Sequence, residues 1–217
     1  MSREPRVRVW DLPVRLFHWA IVLLVPAMWA THEIERMDLH ILLGQILLGL
    51  VLFRMIWGLI GSSTARFAGF VRGPRTVARY LRGRGGPALG HNPLGGWSVV
   101  AMLLLLLTQI GLGLFAIDED ALHEGPLSYL VSYETARILA HRHETIFYLL
   151  VALIAVHIAA ILYYRLVRHD KLVGPMITGT RKAGAGDDAA MIRAPLWRFL
   201  VAAGLAVGGT LAIVRWL

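Results

Sequence analysis

Hydrophobic residues along this chain gather into five long runs, separated by polar segments that carry glycine and proline. The runs cover Arg15–Thr31, His40–Ile60, Gly96–Ala116, His143–Arg165 and Leu196–Val214, each 17 to 23 residues long. At about 1.5 Å per helical residue, those lengths match the roughly 30 Å hydrocarbon core of a bilayer. They predict five membrane-spanning helices, with Pro26 kinking the first. The segments Arg72 to Pro93, Asp118 to Arg142 and Thr178 to Pro195 read as connections.

Composition agrees with that pattern. Of the 217 residues, 57% are hydrophobic and only 17% are charged, whereas soluble domains average about half and a quarter. The fold class is therefore all-α integral membrane: a four-helix transmembrane bundle with a fifth transmembrane helix added. The N-terminus resembles a secretory signal, basic through Arg15, then apolar, then small at Ala27 and Ala30. Cleavage would discard His18, and four more spans follow, so the first helix is expected to stay.

A net charge of +8 raises nucleic acid as a partner, but the distribution of charge excludes it. Eighteen of the 22 Lys/Arg fall at the N-terminus, after the second run and after the fourth. The opposite side keeps Arg36, Arg137, Arg142 and Arg215 against nine acids, including Glu33, Glu35, Asp38 and Asp118 to Asp120. Basic residues mark the cytoplasmic face, so the N-terminus is expected inside and the C-terminus outside the bacterial inner membrane.

Candidate chemistry begins with the residues that do not belong in lipid. The chain has no cysteine, which excludes thiolate metal sites, iron–sulfur clusters and covalently attached haem. It has nine histidines. His157 stands inside the apolar run from Leu149 to Ala160, where an ionisable group needs a functional reason. His143 lies 14 residues earlier; fourteen helical steps leave the two within about 40° of one face and about 21 Å apart along the axis. One helix can thus offer an imidazole to each of two stacked sites, while His141 would face away.

Partners at matching depth are His18 at the start of the first run and His40 at the start of the second. Two non-covalent haem b groups, each held by two histidines, fit this arrangement. Their irons would lie about 20 Å apart, close enough edge to edge for electrons to cross the bilayer. His32, 14 residues after His18, competes with His40 for the outer position, and spacing leaves both open. Gly44, one turn from His40, and Gly111 and Gly113 offer places where a porphyrin edge could approach backbone. Arg54, 14 residues after His40, would either pair with a haem propionate or extend to the surface. In the fifth run, Gly204-x-x-x-Gly208 with Gly209 reads as a helix-packing face.

The ordered set Val9-Trp10-Asp11-Leu12-Pro13-Val14-Arg15-Leu16-Phe17-His18-Trp19, His40 with Gly44, Arg54-Met55-Ile56-Trp57-Gly58, Ala65-Arg66-Phe67, His143-Glu144, His157 and Gly174-Pro175-Met176-Ile177-Thr178-Gly179 resembles the bacterial cytochrome b561 family. The branch it resembles is that of the di-haem cytochrome b subunits of nickel–iron hydrogenases. The resemblance covers about residues 7 to 180. It implies haem ligands at His18, His40, His143 and His157, with His40 preferred over His32. It also implies electron exchange between a periplasmic redox partner and the quinone pool.

The chain then divides into a haem-binding domain at 1–180, a cytoplasmic linker at 181–195 and the extra helix at 196–217. It would act as an electron-transfer subunit or a quinone-linked oxidoreductase rather than a free-standing catalyst. The acidic outer face offers a docking surface for a cytochrome c or another periplasmic subunit. Quinone chemistry needs a proton donor beside one haem, for which His169 with Asp170, or Glu144 with His141, are the candidates. The rival reading is a metal-ion or proton-coupled transporter using the same histidines, but neither inverted repeats nor intramembrane acids are evident.

Overall fold

The computed structural model of the chain describes residues 5–84, 89–118, 120–183 and 190–215. Its five long apolar helices are α1 (Leu12–Glu33), α2 (Met37–Ile60), α5 (Pro93–Phe115), α6 (Tyr133–Leu166) and α8 (Leu196–Arg215). Three short helices sit in the connections: α3 (Phe67–Phe70), α4 (Pro74–Leu81) and α7 (Val173–Thr178). Residues 184–189 of the expected linker lie outside the described residues, as do Glu119 and the last two residues.

The helix starts are written in the local sequence. Asp11 caps α1 by accepting a 2.9 Å hydrogen bond from the Val14 amide, with Pro13 in the first turn. Asn92 caps α5 through the Gly95 amide at 2.7 Å, ahead of Pro93. Ser132 caps α6 through Thr135, and Glu134 occupies the first turn. That cap begins α6 ten residues before the expected His143, so part of the outer connection is helical. At 34 residues, α6 is about 50 Å long and overhangs the hydrocarbon by about 20 Å. Through Pro26, α1 runs on as one helix.

Large apolar side chains point outward: Leu23, Leu59 and Val156 are 72%, 71% and 63% exposed. Lipid, not water, is the medium that suits this surface. Inside, Leu47, Leu48 and Val51 of α2 meet Leu106 and Ile110 of α5 and Leu150 of α6. Phe17, Leu24 and Met28 of α1 pack at the edge of this cluster. Within a bilayer such contacts hold by close packing rather than by expulsion of water.

The second cluster lies at the basic end, where Val9, Trp10, Val14, Trp57 and Ala65 meet Ala202 of α8. Trp57 donates to the second oxygen of Asp11 at 2.9 Å, so one buried carboxylate caps α1 and ties it to α2. Two short strands, β1 (Arg6–Arg8) and β2 (Thr180–Lys182), pair antiparallel beneath them. Gly179, at φ +80°, makes the turn into β2, and its carbonyl accepts from Val9 and Trp10. A Cβ there would meet the Trp10 carbonyl at 2.9 Å.

Helix α8 lies against α2, but of the expected glycines only Gly209 takes part. Ala202 and Ala206 are buried, and Gly209 approaches Leu52. Gly204 and Gly208 are exposed and face open space. The physical reason is angular: residues 202, 206, 209 and 213 follow the helical period on one side, and 204 and 208 fall on the other.

Candidate functional site

At the acidic end, His40 at the start of α2 and His143 in α6 face each other, with ring centroids 6.2 Å apart and planes at 74°. The Nδ1 of His40 is bonded to the Met28 carbonyl at 2.9 Å, and the Nδ1 of His143 to the Gln109 carbonyl at 2.8 Å. A carbonyl only accepts, so each Nδ1 must carry the proton and donate. In the neutral rings this leaves both Nε2 lone pairs free.

That is the arrangement found where a histidine ligates a metal, its second nitrogen anchored by a backbone carbonyl. Two metal–nitrogen bonds of about 2 Å, with about 1 Å from each nitrogen to its ring centre, require centroids roughly 6 Å apart. The observed separation meets that requirement. Both rings are largely shielded, and Gly113 makes room for one of them: a Cβ there would stand 2.9 Å from Cε1 of His143. At Gly44 a Cβ would meet only Cε of Met28, at 3.5 Å, so nothing crowds the backbone one turn from His40.

His32 is also near, its ring 6.0 Å from that of His40, but it is exposed. Among the described residues, no group of three or more His, Asp or Glu side chains converges into a metal cage.

Toward the basic end, His18 of α1 and His157 of α6 are both half-buried and lie within electrostatic reach of each other. Nδ1 of His18 is buried without a hydrogen-bond partner in the chain. At this end an Nη of Arg54 and Nδ1 of His91, within electrostatic reach of each other and of His18, share that condition. Arg54 is only 3% exposed and does not reach the surface. Its guanidinium stacks on Phe67 at 5.0 Å, and the Phe67 ring occupies the space a Cβ on Gly58 would need. Leaving a buried polar group unpaired costs about 1–3 kcal/mol, and more for a cation. Three such groups together mark a place for a polar, anionic partner.

His91 is not among the candidates that the sequence offers. It stands between Trp10 and Phe70, each ring centroid 4.6 Å away. Burial, followed by the charges of Arg54, His157 and His18, pushes its pKa down to about 3. Nothing local in the sequence signals this, because its burial comes from side chains 81 and 21 residues away.

The other candidates lie at the surface. His141 and Glu144 are exposed, with 3.9 Å between ring nitrogen and carboxylate. His169 and Asp170 are exposed after the end of α6. Several acids at the acidic end are engaged locally: Asp38 with Arg36, Glu33 with Trp29 and Glu124 with Ser128. Desolvation would raise the Asp118 carboxyl, but the His123 ring and the amides of His123 and Leu122 outweigh it and hold it below the usual range.

A family model described as prokaryotic cytochrome b561 matches residues 9–179 of the chain. No curated protein and no solved structure matches it.

Proposed function

The chain belongs to the prokaryotic cytochrome b561 family of multi-pass membrane b-type cytochromes in electron transfer, and on that premise we propose that it holds two haem b groups and conducts electrons across the bilayer. His40 and His143 would hold one, and His18 and His157 the other. A b-type haem supplies reversible one-electron chemistry when bound.

The observation that carries this reading is the His40–His143 pair, with its 6.2 Å centroid separation and both Nδ1 atoms anchored on carbonyls. The anchors fix each ring's tautomer and orientation before any ligand arrives. At the other end, the buried guanidinium of Arg54 is the natural partner for a propionate, with His91 beside it as a second polar contact. Gly44 and Gly113 keep backbone clear around the outer pair. The apolar side chains of α1, α2, α5 and α6 exclude water, which helps to set the potential.

The charge asymmetry supports an inner-membrane protein with its basic end in the cytoplasm and its C-terminus outside. On this orientation the His40–His143 site is periplasmic. The partners would be a cytochrome c or hydrogenase-like subunit docking at the acidic face, and quinone in the membrane. The haem-binding domain would comprise residues 1–180, with 181–195 as linker and α8 as an added helix bracing α2.

The test is a reduced-minus-oxidised visible spectrum with haem quantitation on the purified protein. Two non-covalent haem b per chain are expected, falling to one in His40→Ala and in His157→Ala and staying at two in His32→Ala. A single haem in the unaltered protein, or loss caused by His32→Ala but not by His40→Ala, would reject the assignment.

A further inference from the structure

Beside the inner histidines, at the basic end, α3, α4 and their connections enclose a half-open cleft of about 670 Å³. Four arginines line it: Arg66, Arg72, Arg79 and Arg84. Among the described residues, no carboxylate lines the cleft or pairs with any of the four. Its lining includes the half-buried His91, whose Nδ1 is buried and lacks a partner. Arginines spread for solubility would point apart into water. Here they converge on one concavity instead.

The backbone that presents them is pinned. Tyr80 of α4 is hydrogen-bonded to the Tyr164 hydroxyl, which also accepts from Asn92 at 2.9 Å, joining α4 to the starts and ends of α5 and α6. Trp97 donates to the Arg72 carbonyl at 2.7 Å. The Arg72 guanidinium donates to the Gly69 carbonyl at 2.9 Å, which folds it back over the cleft. Guanidinium forks on a fixed frame recognise an anion with several oxygens.

We propose that this cleft is a binding site for the phosphate of an anionic phospholipid in the leaflet at the basic end. Position selects lipid over a soluble phosphate. The lining includes Pro93 at the start of the apolar helix α5, whose first turn carries the exposed side chains of Leu94 and Trp97. Indole rings favour that depth, and an acyl chain descending from a bound headgroup would run along these residues. The inference needs only a membrane-spanning chain and stands apart from the haem assignment.

The experiment is native mass spectrometry of the full chain, purified in mild detergent with its cofactors and titrated with phosphatidylglycerol, phosphatidylcholine or inorganic phosphate. Compared with the unaltered protein are R66Q/R79Q/R84Q and, as a control, R165Q/R168Q, which removes two charges at the same end but outside the cleft. Helical circular dichroism confirms that each variant is folded. The expected result is retained phosphatidylglycerol, little phosphatidylcholine, and at least about tenfold weaker retention in the triple variant alone. Equal loss in the control would assign the effect to diffuse surface charge and overturn the site. Equal retention in the triple variant would overturn it too, as would competition by millimolar inorganic phosphate with no preference for lipid.

Discussion

Replacing Gly113 by alanine tests the outer histidine pair without touching either ring. The added Cβ would stand 2.9 Å from Cε1 and 3.1 Å from Nδ1 of His143. Ordinary carbon contacts begin near about 3.5 Å, so the ring must retreat by roughly 0.6 Å. The ring is not free to do so, because its Nδ1–H is bonded to the Gln109 carbonyl at 2.8 Å. A retreat of that size stretches the bond toward its useful limit and loses about 1 kcal/mol. Overpacking adds about 1–3 kcal/mol. Against these stands a gain of up to about 1 kcal/mol from alanine's helix propensity. The net cost is about 2 kcal/mol, and expressed as cofactor affinity it is about thirtyfold.

The assay is haem quantitation after dilution in detergent, together with the thermal midpoint of the purified protein. Gly113→Ala should lose the outer haem selectively and melt earlier. Gly204→Ala, on an exposed face with open space around it, serves as the control and should hold both haems and melt no earlier. If Gly113→Ala keeps two haems and the unaltered midpoint, the tight seat of His143 has no bearing on ligation and the reasoning fails.

Acid should destabilise the protein through His91. Its folded pKa of about 3 lies below the ordinary 6.5, so between those values the unfolded chain binds the extra proton. Stability is therefore full above pH 6.5 and falls below it by about 1.4 kcal/mol per pH unit, until about pH 3. In protein stripped of haem and anionic lipid, thermal midpoints measured from pH 7.5 to 4.5 should drop more steeply than in His91→Gln, and parallel curves would refute the assignment. On α8, Ala206→Leu should force the helix from α2 and cost about 1–3 kcal/mol, read as a lower thermal midpoint. Gly208→Leu, with open space at its Cβ, should leave the midpoint nearly unchanged; equal effects at the two positions would contradict the packing face described for α8.

What could be read from the sequence, and what could not, divides along a physical line. A membrane helix is long and regular, so a 14-residue spacing converts directly into depth and face. That is why the shared face of His143 and His157 and the depth of His40 can be read from spacing, whereas the preference for His40 over His32 rests on the family resemblance. Whatever depended on contacts between distant segments was not. Hydropathy registers lipid, not helicity, so the polar first turns of α6 were invisible until Ser132 was seen capping them. Gly204 and Gly208 fit a familiar packing pattern, yet Ala202 and Ala206 on the opposite side of the helix carry the contact, because close approach needs small side chains and not glycine alone.

His91 is the clearest case of the second kind. It sits in a loop with an unremarkable neighbourhood, and only the meeting of Trp10, Phe70 and Arg54 buries it. The same convergence explains Arg54. Spacing placed it at the right depth but left it a choice between surface and interior, and the Phe67 ring seated on Gly58 closes the route outward. A buried cation with the Asp11 carboxylate in electrostatic reach but one Nη without a hydrogen-bond partner suits a further anion. The pair motifs Arg54–Gly58 and Ala65–Phe67 therefore make sense together, as the two halves of one clamp that turns a charge inward toward the inner histidines.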